Sequence, residues 1–166
     1  NNTVACDGDV EGQMTVFEVQ DGVTVQNLII AGGLHGGNGI VCKGSCTLDH
    51  VYWEDVCEDA ATNTKDGATM LITNSIALHA SDKVFQFNGA GTLNVSNFAV
   101  QNFGTFVRSC GNCSTQYKRT INLNTIEATY SGNKLVGINT NYGDSATLKK
   151  ITIVGDGSRK IAVCDK

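Results

Sequence analysis

Apolar and polar residues alternate along this chain in short runs that recur. One series reads Val23-Thr-Val-Gln-Asn-Leu-Ile-Ile, Cys46-Thr-Leu-Asp-His-Val-Tyr-Trp, Ala68-Thr-Met-Leu-Ile-Thr-Asn-Ser-Ile, Gly91-Thr-Leu-Asn-Val-Ser-Asn-Phe, Arg119-Thr-Ile-Asn-Leu-Asn-Thr-Ile and Ala146-Thr-Leu-Lys-Lys-Ile-Thr-Ile. Aligned on their shared threonine, at 24, 47, 69, 92, 120 and 147, the runs follow at steps of 23, 22, 23, 28 and 27. No window sustains the 3.6-residue apolar period of a helix. A second series lies between these runs: Gly39-Ile-Val, Ala60-Ala-Thr, Lys83-Val-Phe, Phe106-Val-Arg, Leu135-Val-Gly and Lys160-Ile-Ala. Two interleaved strand series with one period predict a coil of strands. Each turn buries its inner face only against its neighbours, about 4.8 Å away. A right-handed parallel β-helix of about six turns, a single-stranded solenoid, fits this pattern best. Leucine-rich repeats lack a counterpart to their fixed leucines here, and propeller blades need roughly forty residues. Asn27, Asn74 and Asn97 fall at one place in the repeat and predict an amide stack along a corner.

Composition agrees with strands and tight corners: 19 glycines, no proline, and a chain rich in Thr, Asn, Val and Ile. The length of 166 residues predicts one domain over 1–166. A net charge of −4 argues against a nucleic-acid surface. No apolar run reaches membrane-spanning length. Seven cysteines indicate an oxidising compartment and a secreted protein, with the odd one free or paired outside this stretch. Cys110-Gly-Asn-Cys113 reads as a loop disulfide rather than half a zinc site, and Cys42 and Cys46 flank one turn. His35, His50 and His79 read as corner or surface residues.

Chemistry concentrates in one stretch, Val51 to Thr62, with four carboxylates: Glu54, Asp55, Glu58 and Asp59. If all were ionised they would repel one another. In a coil, one position per turn forms a surface column. Asn38 and Glu58-Asp59 stand at one end of such a column, Asp82-Lys83 follow, and Arg108, Lys134 and Arg159-Lys160 lie toward the other. Carboxylates beside an amide oxygen are hard-ligand chemistry suited to Ca2+. A cation site next to bases suits proton abstraction beside a carboxylate, as at C5 of a uronate.

Four motifs in order carry a family resemblance: "VYWEDVCEDAAT" from Val51, "ASDKVFQFNGAGT" from Ala80, "FVRSCGNCSTQYKRT" from Phe106 and "GINTNYGDSATL" from Gly137. The chain resembles the polysaccharide-lyase family three pectate lyases, secreted Ca2+-dependent β-helix enzymes, from about Glu11 to Cys164. The resemblance implies β-elimination of de-esterified homogalacturonan, with pectate as partner and a monomeric protein. It implies Lys83 as base and Arg108 as a clamp on the substrate carboxylate that also depresses the Lys83 pKa. It implies further substrate contacts from Asp82, Glu11 and Lys118, and Ca2+ near Asn38, Asp55, Glu58 and Asp59. It also implies a strand turn upstream of Asn1. The chain departs from the family pattern at Asn38, usually an acid, at Val41, usually His, and at Thr105, usually Lys. These departures favour a second reading, a coil that binds acidic polysaccharide without cleaving it. A β-helix hydrolase working through a carboxylate pair is a third, and it would leave Lys83 and Arg108 idle.

Overall fold

The computed structural model describes residues 14–32, 37–155 and 161–165. Ten strands form one sheet system in which every pairing is parallel. They are β1 (Phe17–Val19), β2 (Val23–Ile30), β3 (Ile40–Cys42), β4 (Cys46–Trp53), β5 (Ala61–Asn63), β6 (Ala68–Phe87), β7 (Gly91–Ser109), β8 (Arg119–Gly137), β9 (Ser145–Val154) and β10 (Ala162–Asp165). One face of the coil runs β1-β3-β5-β6-β7-β8-β10. A second runs β2-β4-β6, with β9 continuing it beyond β8. The fold is a right-handed parallel β-helix of about six turns. Among the described residues the only helical element is one 3-10 turn, Thr140–Tyr142.

The two series of the repeat fuse in the middle of the coil. β6, β7 and β8 each run 19 or 20 residues around a corner and contribute to both faces. The corner is made by left-handed backbone. Asn27, His50, Asn74, Asn97, Thr125 and Lys150 all have φ between 50° and 58°. Parallel pairing on both sides places them in one column. Asn tolerates this conformation better than most residues. The predicted amide stack is partly present. Asn97 Nδ2 donates to Asn74 Oδ1 at 3.2 Å, and Asn74 Nδ2 donates to Asp49 Oδ1 at 2.9 Å. His50 stands between Asn27 and Asn74, so Asn27 is not part of that run. His79 and Asn102 form a second left-handed pair, joined by a 2.9 Å hydrogen bond. His35 lies outside the described residues.

The observed register corrects the threonine alignment at two steps. Thr24 pairs with Thr47, Thr69 with Thr92 and Thr92 with Thr120. Thr47, however, pairs with Leu71, and Thr147 pairs with Asn122. Both slips are of two residues, which keeps every side chain on its own face. In the second series Lys83 pairs with Thr105, not Phe106, because the β6–β7 ladder shifts register between Ala80 and Lys83. One extra residue there turns Lys83 out of the core.

Inside the coil, Trp53, Phe85, Phe98 and Phe106 pack at ring separations of 5.3–6.3 Å. Trp53 is therefore a core residue, 1 % exposed, and faces away from the acids beside it in sequence. Cys42–Cys46 and Cys110–Cys113 are disulfides, Cys57 is also disulfide-bonded, and Cys164 is an exposed free thiol.

Candidate active site

The ends of β5, β6 and β7 and the Cys110–Cys113 loop enclose an open cleft of about 530 Å³. Its acidic wall is built from consecutive turns. Gly39 N–H donates to Asp59 O at 2.8 Å and Ile40 N–H to Ala60 O at 3.0 Å, so Asn38 and Asp59 are neighbours along the coil. Gly39 permits this close approach: a Cβ there would lie 2.7 Å from Ala60 O and 3.0 Å from the Trp53 indole nitrogen. Glu58 and Asp59 are both buried, and Thr62 Oγ lies 3.0 Å from Asn38 Oδ1 and 2.9 Å from Asp59 Oδ2. One hydroxyl proton serves only one of those oxygens at a time. Asp59 Oδ1 is buried with no hydrogen-bond donor. Burial, and then the Glu58 charge beside it, push the Asp59 carboxyl up to about 8. Two buried acids that resist ionising together, with the donor-less Asp59 Oδ1 and an amide oxygen beside them, fit a hard cation such as Ca2+. Among the described residues no three Asp, Glu, His or Cys side chains form a metal cage, so any cation would complete its shell with the amide, substrate and water.

Lys83 stands opposite. Its Nζ lies 3.9 Å from Asp59 Oδ1 and 4.0 Å from Glu58 Oε1, and it donates to Asp82. Burial lowers the ammonium pKa, but Asp82, Asp59 and Glu58 together outweigh it, and the net shift is upward from 10.5. This corrects the expectation that Arg108 depresses it. The charges nearest Lys83 are carboxylates, and they stabilise the protonated form.

Arg108 is one rung beyond Gln86 in the outward column, followed by Gly137. It makes no ion pair among the described residues. Its guanidinium lies between two glycines. A Cβ on Gly111 would stand 2.8 Å from Nη2, and one on Gly137 would stand 2.8 Å from Nη1. Absent side chains thus keep a cation open to the cleft.

The structure brings Asn38, Glu58, Asp59, Lys83 and Arg108 together, with Asp82 bonded to Lys83. Asp55 does not line the cleft but a small cavity behind the acidic wall, which Asp59 also borders, and Lys118 lies against Gly143 instead of lining the cleft. Glu54 is used locally and accepts from Gly32 N–H at 2.9 Å. Glu11 lies outside the described residues. Sequence reasoning missed Thr62, Gln86, Asn88 and Asn112 as lining residues. Thr62 and Gln86 share the column of Arg108, a signal legible once the register is known. It also missed Arg119. That side chain is fully buried and donates to the Gly89, Asn88 and Tyr117 carbonyls and to Gln116, tying the base of the Cys110–Cys113 loop to β6.

A family model described as pectate lyase matches residues 1–166. "Probable pectate lyase F" of Aspergillus terreus is 48 % identical over 151 residues, covering 89 % of this chain and 63 % of that protein. The chain therefore spans less than two thirds of the length of that relative. Among solved structures, pectate lyase Pel3 of Pectobacterium carotovorum superposes with a TM-score of 0.81 at 31 % identity, over 97 % of this chain and 52 % of that one. Pectate lyase PelI of Erwinia chrysanthemi, in complex with tetragalacturonic acid, superposes with a TM-score of 0.63 at 28 % identity, over 89 % of this chain and 62 % of that one.

Proposed function

This chain belongs to the pectate lyase family, and from that premise we propose that it cleaves pectate by Ca2+-assisted β-elimination in the cleft between Glu58-Asp59 and Arg108. The observation that carries the reading is Lys83. It is a half-buried lysine set between an acidic wall in which Asp59 Oδ1 has no donor and an arginine that makes no ion pair among the described residues. The substrate chemistry follows from the charges. A galacturonate unit presents a carboxylate to Arg108, whose planar fork suits two carboxylate oxygens. The same unit then places its C5 hydrogen toward Lys83.

Neutral Lys83 takes the C5 proton, the C5–H electron pair forms the C4–C5 double bond, and the C4–O bond breaks. The leaving oxygen takes a proton from water. Bound by Asn38, Glu58 and Asp59, Ca2+ would draw their charge away from Lys83 and polarise the substrate carboxylate. Asp82 orients the ammonium and would relay the abstracted proton from it to solvent between turnovers, leaving Lys83 neutral again. The disulfides support secretion, where pectate would be met.

One observation favours the second reading, binding without cleavage: two departures from the family pattern stand at the site itself, Asn38 beside Asp59 and Thr105 paired with Lys83. Incubation with polygalacturonate, with Ca2+ or with chelator, separates the two. Ultraviolet absorbance of an unsaturated product that appears only with Ca2+ supports elimination. Absorbance independent of Ca2+ removes the metal. Retention on immobilised pectate without absorbance makes the chain a binding protein, and reducing ends without absorbance make it a hydrolase.

A further inference from the structure

The cationic side of the cleft continues along the coil past Arg108. Lys83, Thr105 and Lys134 are successive rungs of one column, and Ala162 is the next. Residues paired in parallel register point to the same face. Lys134 therefore emerges on the face that carries Lys83, two rungs or about 10 Å further along. The neighbouring outward column runs Gln86, Arg108, Gly137, Asp165. Lys134 leans across to it, with Nζ 2.5 Å from Asp165 Oδ2. Between Arg108 and Asp165 the column is bare, because Gly137 has no side chain and the Arg108 guanidinium lies over it. A carboxylate of the protein itself thus occupies the arginine column two rungs beyond Arg108, held by a lysine in line with Lys83.

We propose that Lys134 is a specificity-determining residue of this cleft. It binds a second carboxylate of the acidic polysaccharide, and Asp165 is the internal carboxylate which that group displaces. The inference rests on the pectate lyase reading and adds a recognition length to it. The pair is open to solvent, with Lys134 32 % and Asp165 55 % exposed. Such a pair contributes little stability and opens readily. A polyanion already anchored at Arg108 presents its next carboxylates at high effective concentration, so it competes well with a single tethered acid. A short oligomer that ends near Arg108 gains nothing from Lys134. An esterified unit at that distance offers no charge to it, so the residue also favours de-esterified stretches.

The test compares Lys134→Gln and Asp165→Asn with the wild type on trigalacturonate and on polygalacturonate, followed by ultraviolet absorbance with Ca2+ present. On the polymer, Lys134→Gln should raise KM about tenfold, the worth of one charge-assisted contact, with a smaller effect on kcat. Asp165→Asn should lower KM, and the double variant should behave as Lys134→Gln. On trigalacturonate both variants should stay near the wild type, and both polymer effects should shrink at high salt. If the two variants raise KM together, the pair is only a tie between β8 and β10, and the proposal fails. It fails equally if neither variant moves KM while the wild type cleaves normally. A wild type that neither cleaves nor binds polygalacturonate removes the pectate lyase reading and this residue's role with it.

Discussion

Lys83 is held by three carboxylates at once, and that decides how it responds to replacement. A base deleted from a positioned site costs roughly a hundredfold or more in turnover, so Lys83→Ala should lose at least that, read as initial rate on polygalacturonate. The structure adds a second effect. Removing Lys83 leaves Glu58 and Asp59 buried beside each other without their cation, a costly arrangement once they ionise. The variant should therefore unfold at lower temperature than wild type at pH 8 and at nearly the same temperature at pH 5. Near-full turnover in this variant would place the base elsewhere. Asn38 poses the opposite question. Asn38→Asp adds a third carboxylate to the acidic wall, and ligand charge is one lever on Ca2+ affinity. Calorimetric titration should show tighter Ca2+ binding, while the Ca2+-free protein should melt earlier because Asp59 already resists ionisation beside Glu58. Equal affinity in both forms would exclude Asn38 as a ligand.

The left-handed corner is the element on which the coil turns, and it contains its own weak rung. Thr125 has φ 58° in the column that Asn97 shares. A β-branched residue is an outlier in this conformation, whereas Asn adopts it readily. Thr125→Asn should stabilise the protein by about 1 kcal/mol, and its side chain would extend the Asn97–Asn74 amide run by one rung. Urea unfolding should show a higher midpoint with an unchanged slope. A lower midpoint would mean that the threonine contributes more at the corner than the backbone strain removes.

At the scale of the whole molecule, the acidic wall links folding to pH. The Asp59 carboxyl is raised to about 8 in the fold from an ordinary value near 3.8, by burial first and the Glu58 charge second. The native state therefore binds this proton more tightly than the unfolded chain does. Its contribution is fully present below about pH 4 and is lost as pH rises toward 8. Without divalent cations, the unfolding midpoint should fall between pH 5 and pH 8. Added Ca2+ should restore it at pH 8 and change little at pH 5, where protons compete for the oxygens. A midpoint that Ca2+ does not move at pH 8 would argue against cation binding at Asn38, Glu58 and Asp59.

The sequence by itself determined the coil, because a fold stacked at a fixed period writes that period into its strands and corners. It also placed Asn38 one turn from Glu58-Asp59 and near Lys83 and Arg108, as the repeat spacing predicts. Tertiary structure decided the rest. A slip of two residues preserves the alternation, so the threonine pattern alone could not fix Thr47 against Leu71. The register shift before Lys83 is a local backbone event with no sequence marker. The fate of the four acids between Val51 and Thr62 depended on which way each points. Glu58 and Asp59 turn into the cleft, Glu54 accepts from Gly32 N–H, and Asp55 lines a small cavity behind the wall that Asp59 also borders. Whether Lys83 is pulled toward neutrality or held charged depended on which partners lie within about 4 Å. That is a sum of distances across three turns, and only the folded coil sets them.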